Sequence, residues 1–329
     1  MAENTVISPM TQPHHDRRLR KKNGMLSNMV RTFIKNQFLL YLTLPLIIYT
    51  FIFKYIPMVG AIVAFKYYSY ADGIFGSRWA GFKNFKFLVE APDLRRLIRN
   101  TVGYNMLFLA LNTVCAVIVA LLLYEITSRF MLKVYQTILF FPYFLSMVVV
   151  AYMVYAFLNP VSGLLNQWLQ SAGIQTLDWY NTAKAWVAIF PLANLWKDLG
   201  MASVIYYAAL MGINTTLYEA AKMDGASKVQ MMRHISLPAL YPVITILAIL
   251  AIGNIVDADF GLFYQLPMAS PTIRAATDVL DTYIYRALVA WGDIGMSSAA
   301  GLAKSVVGLI LVIGTNALVK KVNEDNTLF

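Results

Sequence analysis

The sequence predicts an all-α polytopic membrane protein with six transmembrane helices, and three observations carry that reading. Of its 329 residues, 59% are hydrophobic and only 13% are charged, against about 45–50% apolar and about 25% charged in an ordinary soluble domain. The mean hydropathy is +0.58. Charge-free apolar runs recur along the chain at lengths suited to a hydrocarbon core about 30 Å thick, which takes about 20 residues per helical crossing. A soluble globule and a disordered chain are both excluded.

Residues 1–36 read as a polar cytoplasmic tail carrying Arg17, Arg18, Arg20, Lys21, Lys22, Arg31 and Lys35. That tail is too long for a signal-peptide n-region, and no small-residue cleavage site follows, so the run 37–53 is an uncleaved first span. Residues 54–100 form the longest segment expected outside, with room for short interfacial helices and a turn at Asp72-Gly73. The further runs are 101–124, 134–158, an interrupted stretch across 185–217, 239–256, and about 298–319. The membrane body is therefore 37–322, and 323–329 is a cytoplasmic C-terminal tail. Pro45, Pro142 and Pro191 fall inside three of these runs, where each removes a backbone donor and is expected to kink the helix.

The 27 Lys and Arg against 17 Asp and Glu give a net charge of +10, which in a membrane protein is first a topology signal and a signal for anionic lipid. With the N-terminus inside, the inner segments hold 14 Lys and Arg and the outer segments 10, eight of them in 54–100. Long loops weigh less in this rule, so both termini are expected on the cytoplasmic side. Cys115 alone forms no internal disulfide, and His14, His15 and His234 have no metal-ligand spacing.

No catalytic constellation is present. The motif G-x-x-x-x-G-K-[ST] is absent, and its nearest approach, Gly301-Leu302-Ala303-Lys304-Ser305, lacks the phosphate-cradling loop. G-x-S-x-G and H-E-x-x-H are absent too. The chain is expected to be no enzyme, to bind no cofactor of its own and no metal, and to have no nucleic-acid partner.

The most informative segment is 218–238. Glu219 to Met223 favours a short helix, Asp224-Gly225 breaks it with Gly free to take positive φ, and Ser227 caps a second helix whose Val229, Met232 and Ile235 recur at helical spacing. Pro238 stands where the next membrane helix begins. Such a helix-turn-helix is suited to docking in a groove on another protein.

Glu219-Ala220-Ala221, three residues, Gly225, nine residues, then Ile235-x-Leu237-Pro238 resembles the EAA loop of binding-protein-dependent ABC importer permeases. The resemblance covers nearly the whole chain. Phe53-Lys54-Tyr55-Ile56-Pro57-Met58, Ala64-Phe65-Lys66, Trp79-x-Gly81-Phe82-x-Asn84-Phe85, Trp196-Lys197-Asp198-Leu199-Gly200, Asp281 to Arg286 and the ending Leu328-Phe329 are similar to the oligosaccharide and polysaccharide permease subfamily. It implies a type I ABC importer permease fold in a bacterial cytoplasmic membrane and transport of oligo- or polysaccharides, including uronate-containing ones such as alginate or aldouronate. It also implies a heterodimer with a second, homologous permease subunit, two ATP-binding subunits that hold ATP and Mg, and an extracytoplasmic solute-binding protein. Glu219, Ala220, Ala221, Asp224, Gly225, Ile235, Leu237 and Pro238 would carry the ATPase contact. Unlike the maltose-type permease, this chain has no room for a large inserted exterior domain.

Polar residues at membrane depth are costly and usually face a bundle interior or cavity. Asn105 and Asn112, Tyr152 and Tyr155, Asn194 and Asp198, and Asn254 and Asp257 form face-sharing pairs. Tyr152, Tyr155, Asn194, Trp196, Lys197, Asp198, Asn254 and Asp257 are the candidates for a sugar path, though interhelical hydrogen bonding explains the pairs equally well. Lys197 could snorkel, pair locally or meet an acidic sugar, and Lys304 is expected to snorkel. The alternatives are an ABC permease for a non-sugar solute, an ion-coupled secondary transporter using buried Asp and Lys as a relay, and a membrane-embedded enzyme.

Overall fold

The computed structural model describes residues 37–86 and 90–322; the basic tail 1–36 and the tail 323–329, with Leu328-Phe329, lie outside the described residues. Two units separate by their contacts, 1–61 and 62–329.

In the first unit, α1 (Gln37–Thr50) contains Pro45 and continues through a π turn, Phe51–Tyr55, and a helical turn, Ile56–Met58. Its apolar side chains are exposed almost throughout, the state of a helix whose surroundings are lipid or another subunit.

The second unit is a helical bundle. The long helices are α2 (Leu94–Tyr124), the pair α3 (Arg129–Phe144) and α4 (Met147–Leu158), α6 (Trp186–Met211), α9 (Leu237–Gly253) and α13 (Ile294–Val322). Between them lie α5 (Leu164–Ser171), α7 (Thr215–Met223), α8 (Lys228–Met231), α10 (Phe260–Gln265), α11 (Arg274–Thr277) and α12 (Leu280–Trp291). Four helical stretches among the described residues, 37–65, 94–124, 228–253 and 294–321, are long and apolar enough to cross a membrane, and the α3–α4 pair would make a fifth. The helix α6 has 26 residues, about 39 Å at 1.5 Å per residue, but Asn194, Lys197 and Asp198 dilute its apolar centre. These six stretches correspond to the six runs expected from the sequence.

The structure differs from the expectation in three ways. The run 134–158 is not one straight helix: α3 and α4 bend by 96° at residues 145–146, just after Pro142, and Ser146 restarts the chain as the N-cap of α4. The span expected from 239 begins earlier, because α8 passes through a π turn, Met232–Ser236, directly into α9. The segment 54–100 contains a two-strand antiparallel hairpin, β1 (Lys66–Tyr67) with β2 (Arg78–Trp79), paired Lys66 to Trp79; the expected turn at Asp72-Gly73 lies within it, with Gly73 at φ +65°.

Besides a small apolar cluster at Ala64, Ala299 and Ala300, two larger ones hold the second unit together. One joins α2, α4, α6 and α10 through Tyr104, Phe108, Val150, Trp186, Phe190 and Phe263, with the Phe190 and Phe263 rings 4.5 Å apart. The other joins α2, α6 and α9 through Ala116, Ala120, Tyr206, Leu210 and Leu240. The small residues of α2 let α6 come close, which is how helices associate where lipid removes the hydrophobic drive. Gly200 of α6 does the same against α3: a Cβ there would lie 2.1 Å from the Leu139 carbonyl oxygen.

Candidate functional site

Two features stand out, a loop between α6 and α9 closed by its own caps and an open cavity in the bundle whose wall carries a cluster of polar side chains. In the loop, Asn214 caps α7 by accepting from the Thr216 N–H at 3.0 Å. The helix ends in a Schellman arrangement, in which the Ala226 N–H donates to Ala221 O at 2.9 Å and the Gly225 N–H to Lys222 O at 3.1 Å. Gly225 carries φ +79°, the left-handed conformation a side chain would strain. Ser227 and Gln230 then form a capping box: Gln230 Oε1 accepts from the Ser227 N–H at 2.7 Å, and Ser227 Oγ from the Gln230 N–H at 3.4 Å.

The base of the loop is closed. Tyr218 and the buried Ser236 share a hydrogen bond at 2.9 Å, the Tyr218 ring lies 5.7 Å from that of Tyr124 at the end of α2, and Lys228 pairs with Glu125 at 2.8 Å. Glu219, Ala220, Asp224, Gly225 and Pro238 are exposed, while Ala221, Ile235 and Leu237 are half-buried. Ala221, Asp224, Gly225 and Ile235 line a groove of about 340 Å³ between the two helices. At the tip, Met223 is 88% and Val229 72% exposed, an apolar surface without a partner in this chain among the described residues.

The cavity, about 390 Å³, lies between α2, α6, α9 and the break after α9. It collects Asn194, Asp198, Asn254 and Asp257 from the sequence candidates, together with Asn105, Asn112 and Asp259. Asn112 donates to Asn194 Oδ1 at 2.8 Å, and Asn194 donates to Asp198 Oδ2 at 2.9 Å. The break is held by Asn105, whose amide donates to Ile255 O at 2.7 Å and Asp257 O at 3.0 Å, and Asn254 donates to Leu250 O at 3.1 Å. The lining carries three carboxylates and, among the described residues, no Lys or Arg. Amides and carboxylates of this kind can exchange hydrogen bonds with sugar hydroxyls.

The other four path candidates lie elsewhere. Trp196 lines a separate apolar cavity of about 680 Å³ with residues of α4 and Trp179. Tyr152 is exposed, and the Tyr155 ring packs on Tyr180 at 5.4 Å, where burial, and then the neighbouring Tyr155, push the Tyr180 phenol well up. Lys197 neither snorkels nor pairs with Asp198. Its ammonium donates to Tyr143 O at 3.0 Å and Leu145 O at 2.8 Å, the carbonyls freed at the α3–α4 bend.

Lys304 does not snorkel either. It is 8% exposed and pairs with Asp257 at 2.7 Å and with Asp281; Asp281 also accepts from the Ala258 N–H at 2.8 Å. Because Lys304 lies inside α13, the stretch 301–305 is helix and cannot wrap a phosphate. A second buried pair, Arg286 with Asp278, is bidentate at 2.9 and 2.6 Å. No local sequence pattern announces Asp281 or Asp278 as a partner, since folding alone brings these pairs about.

Residues 112–324 match the family described as binding-protein-dependent transport system inner membrane component. The chain belongs to this family. It is 36% identical over 292 residues, 89% of this chain and 90% of the other, to the polygalacturonan/rhamnogalacturonan transport system permease protein YteP of Bacillus subtilis (strain 168). A crystal structure of a bacterial ABC transporter involved in the import of the acidic polysaccharide alginate contains a chain with TM-score 0.80 and 32% identity, covering 90% of this chain and 99% of that one. A second, the bacterial alginate ABC transporter in complex with an alginate pentasaccharide-bound periplasmic protein, gives TM-score 0.78 and 32% identity over 89% and 97%. The fold is that of the type I ABC importer permeases, and the chain is a transport-system membrane subunit.

Family membership gives several sequence signatures a structural meaning. Lys66 of the hairpin donates to Ile74 O and Phe75 O, each at 2.8 Å, and Asn84 donates to Ala64 O and Lys66 O, each at 2.9 Å. Lys66 and Asn84 therefore fasten a loop. Asp281, Thr282 and Arg286 likewise make the buried polar contacts of α12.

Proposed function

We propose that this chain is one of two homologous permease subunits of an ATP-driven importer of acidic, uronate-containing oligo- or polysaccharides. Two ATP-binding subunits, holding ATP and Mg, dock on the 218–238 loop, and an extracytoplasmic solute-binding protein delivers the saccharide. The loop and both termini face the cytoplasm, in line with the Lys and Arg distribution.

The observation that carries this reading is the loop itself. Its two short helices are locked by a Schellman turn and a capping box and present Met223 and Val229 to solvent, so it can transmit force as a unit. Glu219, Ala220, Ala221, Asp224, Gly225, Ile235, Leu237 and Pro238 form the coupling surface and its support. From Tyr124 beside the loop, α2 runs unbroken to Asn112 and Asn105 in the cavity, roughly 18–28 Å away at 1.5 Å per residue. An ATPase that prefers one loop position biases the cavity between two states.

Asn194, Asp198, Asn254 and Asp257 form this subunit's wall of the translocation path, while Tyr152, Tyr155, Trp196 and Lys197 lie outside it. The saccharide class follows from the polygalacturonan/rhamnogalacturonan and alginate systems to which the chain is similar. An ion-coupled transporter would have no use for such a loop.

The test is reconstitution of the full complex with its binding protein, scanning oligogalacturonates, alginate oligosaccharides, neutral oligosaccharides and amino acids for stimulated ATP hydrolysis. Stimulation by the acidic saccharides is expected. Stimulation by amino acids or ions alone would overturn the proposal.

A further inference from the structure

The cavity wall is acidic, which is the wrong sign for an acidic cargo. Asp198, Asp257 and Asp259 line it, and no Lys or Arg does among the described residues. On the Asp257 side a cation reaches this wall from behind. Lys304, 8% exposed on α13, sets its ammonium 2.7 Å from Asp257 Oδ1, while the Asp257 side chain remains 51% exposed on the cavity side. The same ammonium contacts Asp281, whose other oxygen accepts from the Ala258 N–H at 2.8 Å. The triad thus ties the break 254–259 to α12 and α13, beside the Asn105 contacts from α2, and the carboxylate it presents to the cavity is compensated.

We infer that Lys304 is a specificity-determining residue: by neutralising Asp257 from outside the cavity, it sets how negative this wall is and so permits an anionic saccharide to pass. The inference rests on the acidic-saccharide reading above and deepens it. A buried Lys with two carboxylates carries one net negative charge, and removing the Lys leaves two, one half-exposed to the cavity and one largely buried behind it. A passing uronate would meet that added repulsion, while a neutral chain of the same length would not.

The experiment measures ATP hydrolysis by the reconstituted complex, with its binding protein, stimulated by an oligogalacturonate or by its methyl ester of equal length. Lys304→Gln is expected to lose about tenfold with the free acid, equivalent to about 1.4 kcal/mol, and to change by less than about threefold with the ester. Lys304→Arg keeps the wild-type ratio, and Asp257→Asn in the Lys304→Gln background restores it. Asp257→Asn alone, with Lys304 present, raises the acid-to-ester ratio, so the inference remains testable if Lys304→Gln does not assemble. Equal losses with acid and ester in Lys304→Gln, or an unchanged ratio in Asp257→Asn, would overturn the role of Lys304. Wild-type complex stimulated by neither compound would overturn the acidic-saccharide reading and this inference with it.

Discussion

Lys197 sits in the middle of a membrane helix, and its three donors are the reason it can. The ammonium satisfies Tyr143 O and Leu145 O where the chain bends by 96°. Lys197→Met would leave both without that donor, at a cost of about 1 kcal/mol, since the Leu145 contact is half-buried and the Tyr143 contact exposed. Thermal unfolding of the detergent-solubilised protein is expected to show a lower midpoint for Lys197→Met and a smaller loss for Lys197→Arg; an unchanged midpoint for the Met variant would mean water or lipid serves those carbonyls. The residue was visible in the sequence as a charge out of place, but its partners lie more than 50 positions away. Asp198, its neighbour in the chain, was legible as a cavity candidate because Asn194 lies one helical turn before it.

Gly225 was legible in full, since Asp-Gly between two short helical patterns calls for positive φ, and φ +79° is observed. Gly225→Asp is expected to insert in the membrane at normal levels and to lower uptake at least about tenfold, with the loop strained by roughly 1–2 kcal/mol. Uptake at the wild-type rate would remove the coupling role from this turn.

At the scale of elements, α2 and α6 form the frame, and α6 touches α3 through Gly200. Because a Cβ there would meet the Leu139 backbone at 2.1 Å, Gly200→Val should force the helices apart and destabilise the bundle by about 1–3 kcal/mol or more, read as a lower unfolding midpoint. The Glu125–Lys228 pair, largely exposed on the Lys side, is different. Glu125→Gln should shift global stability by less than about 1 kcal/mol, while amide exchange in 218–238 accelerates as the loop loosens from α2. Unchanged exchange would show that the Tyr218–Tyr124 ring contact and the Tyr218–Ser236 hydrogen bond suffice to hold the loop.

The positions of the long helices were legible from apolar runs because lipid demands them, whereas α5, α10, α11 and α12 were not. The α3–α4 bend was not, because Pro142 allows a mild kink as readily as a break, and the Lys197 hydrogen bonds that support the break are tertiary. Nor was the onset of α9 legible, since Pro238 suggests a start, whereas the π turn before it carries the helix straight through.

At the scale of the whole molecule, the second unit links a capped loop at one end of α2 to a cavity with a polar cluster along the same helix. The class of the protein was readable from the fixed spacing within 218–238, a local pattern. The cavity was half readable: Asn194, Asp198, Asn254 and Asp257 meet there, whereas Tyr152, Tyr155, Trp196 and Lys197 face other surroundings, since helical periodicity tells which residues share a face and not what that face meets. The proposed function has ATP, and not an ion gradient, drive an acidic saccharide through this subunit and its partner. The most direct measurement is uptake of a labelled oligogalacturonate into proteoliposomes holding the full complex, with ATP or a non-hydrolysable analogue on the side of the ATPases and ionophores present to collapse all gradients. Accumulation that requires hydrolysable ATP and survives the ionophores is predicted; accumulation without ATP that the ionophores abolish would contradict the account.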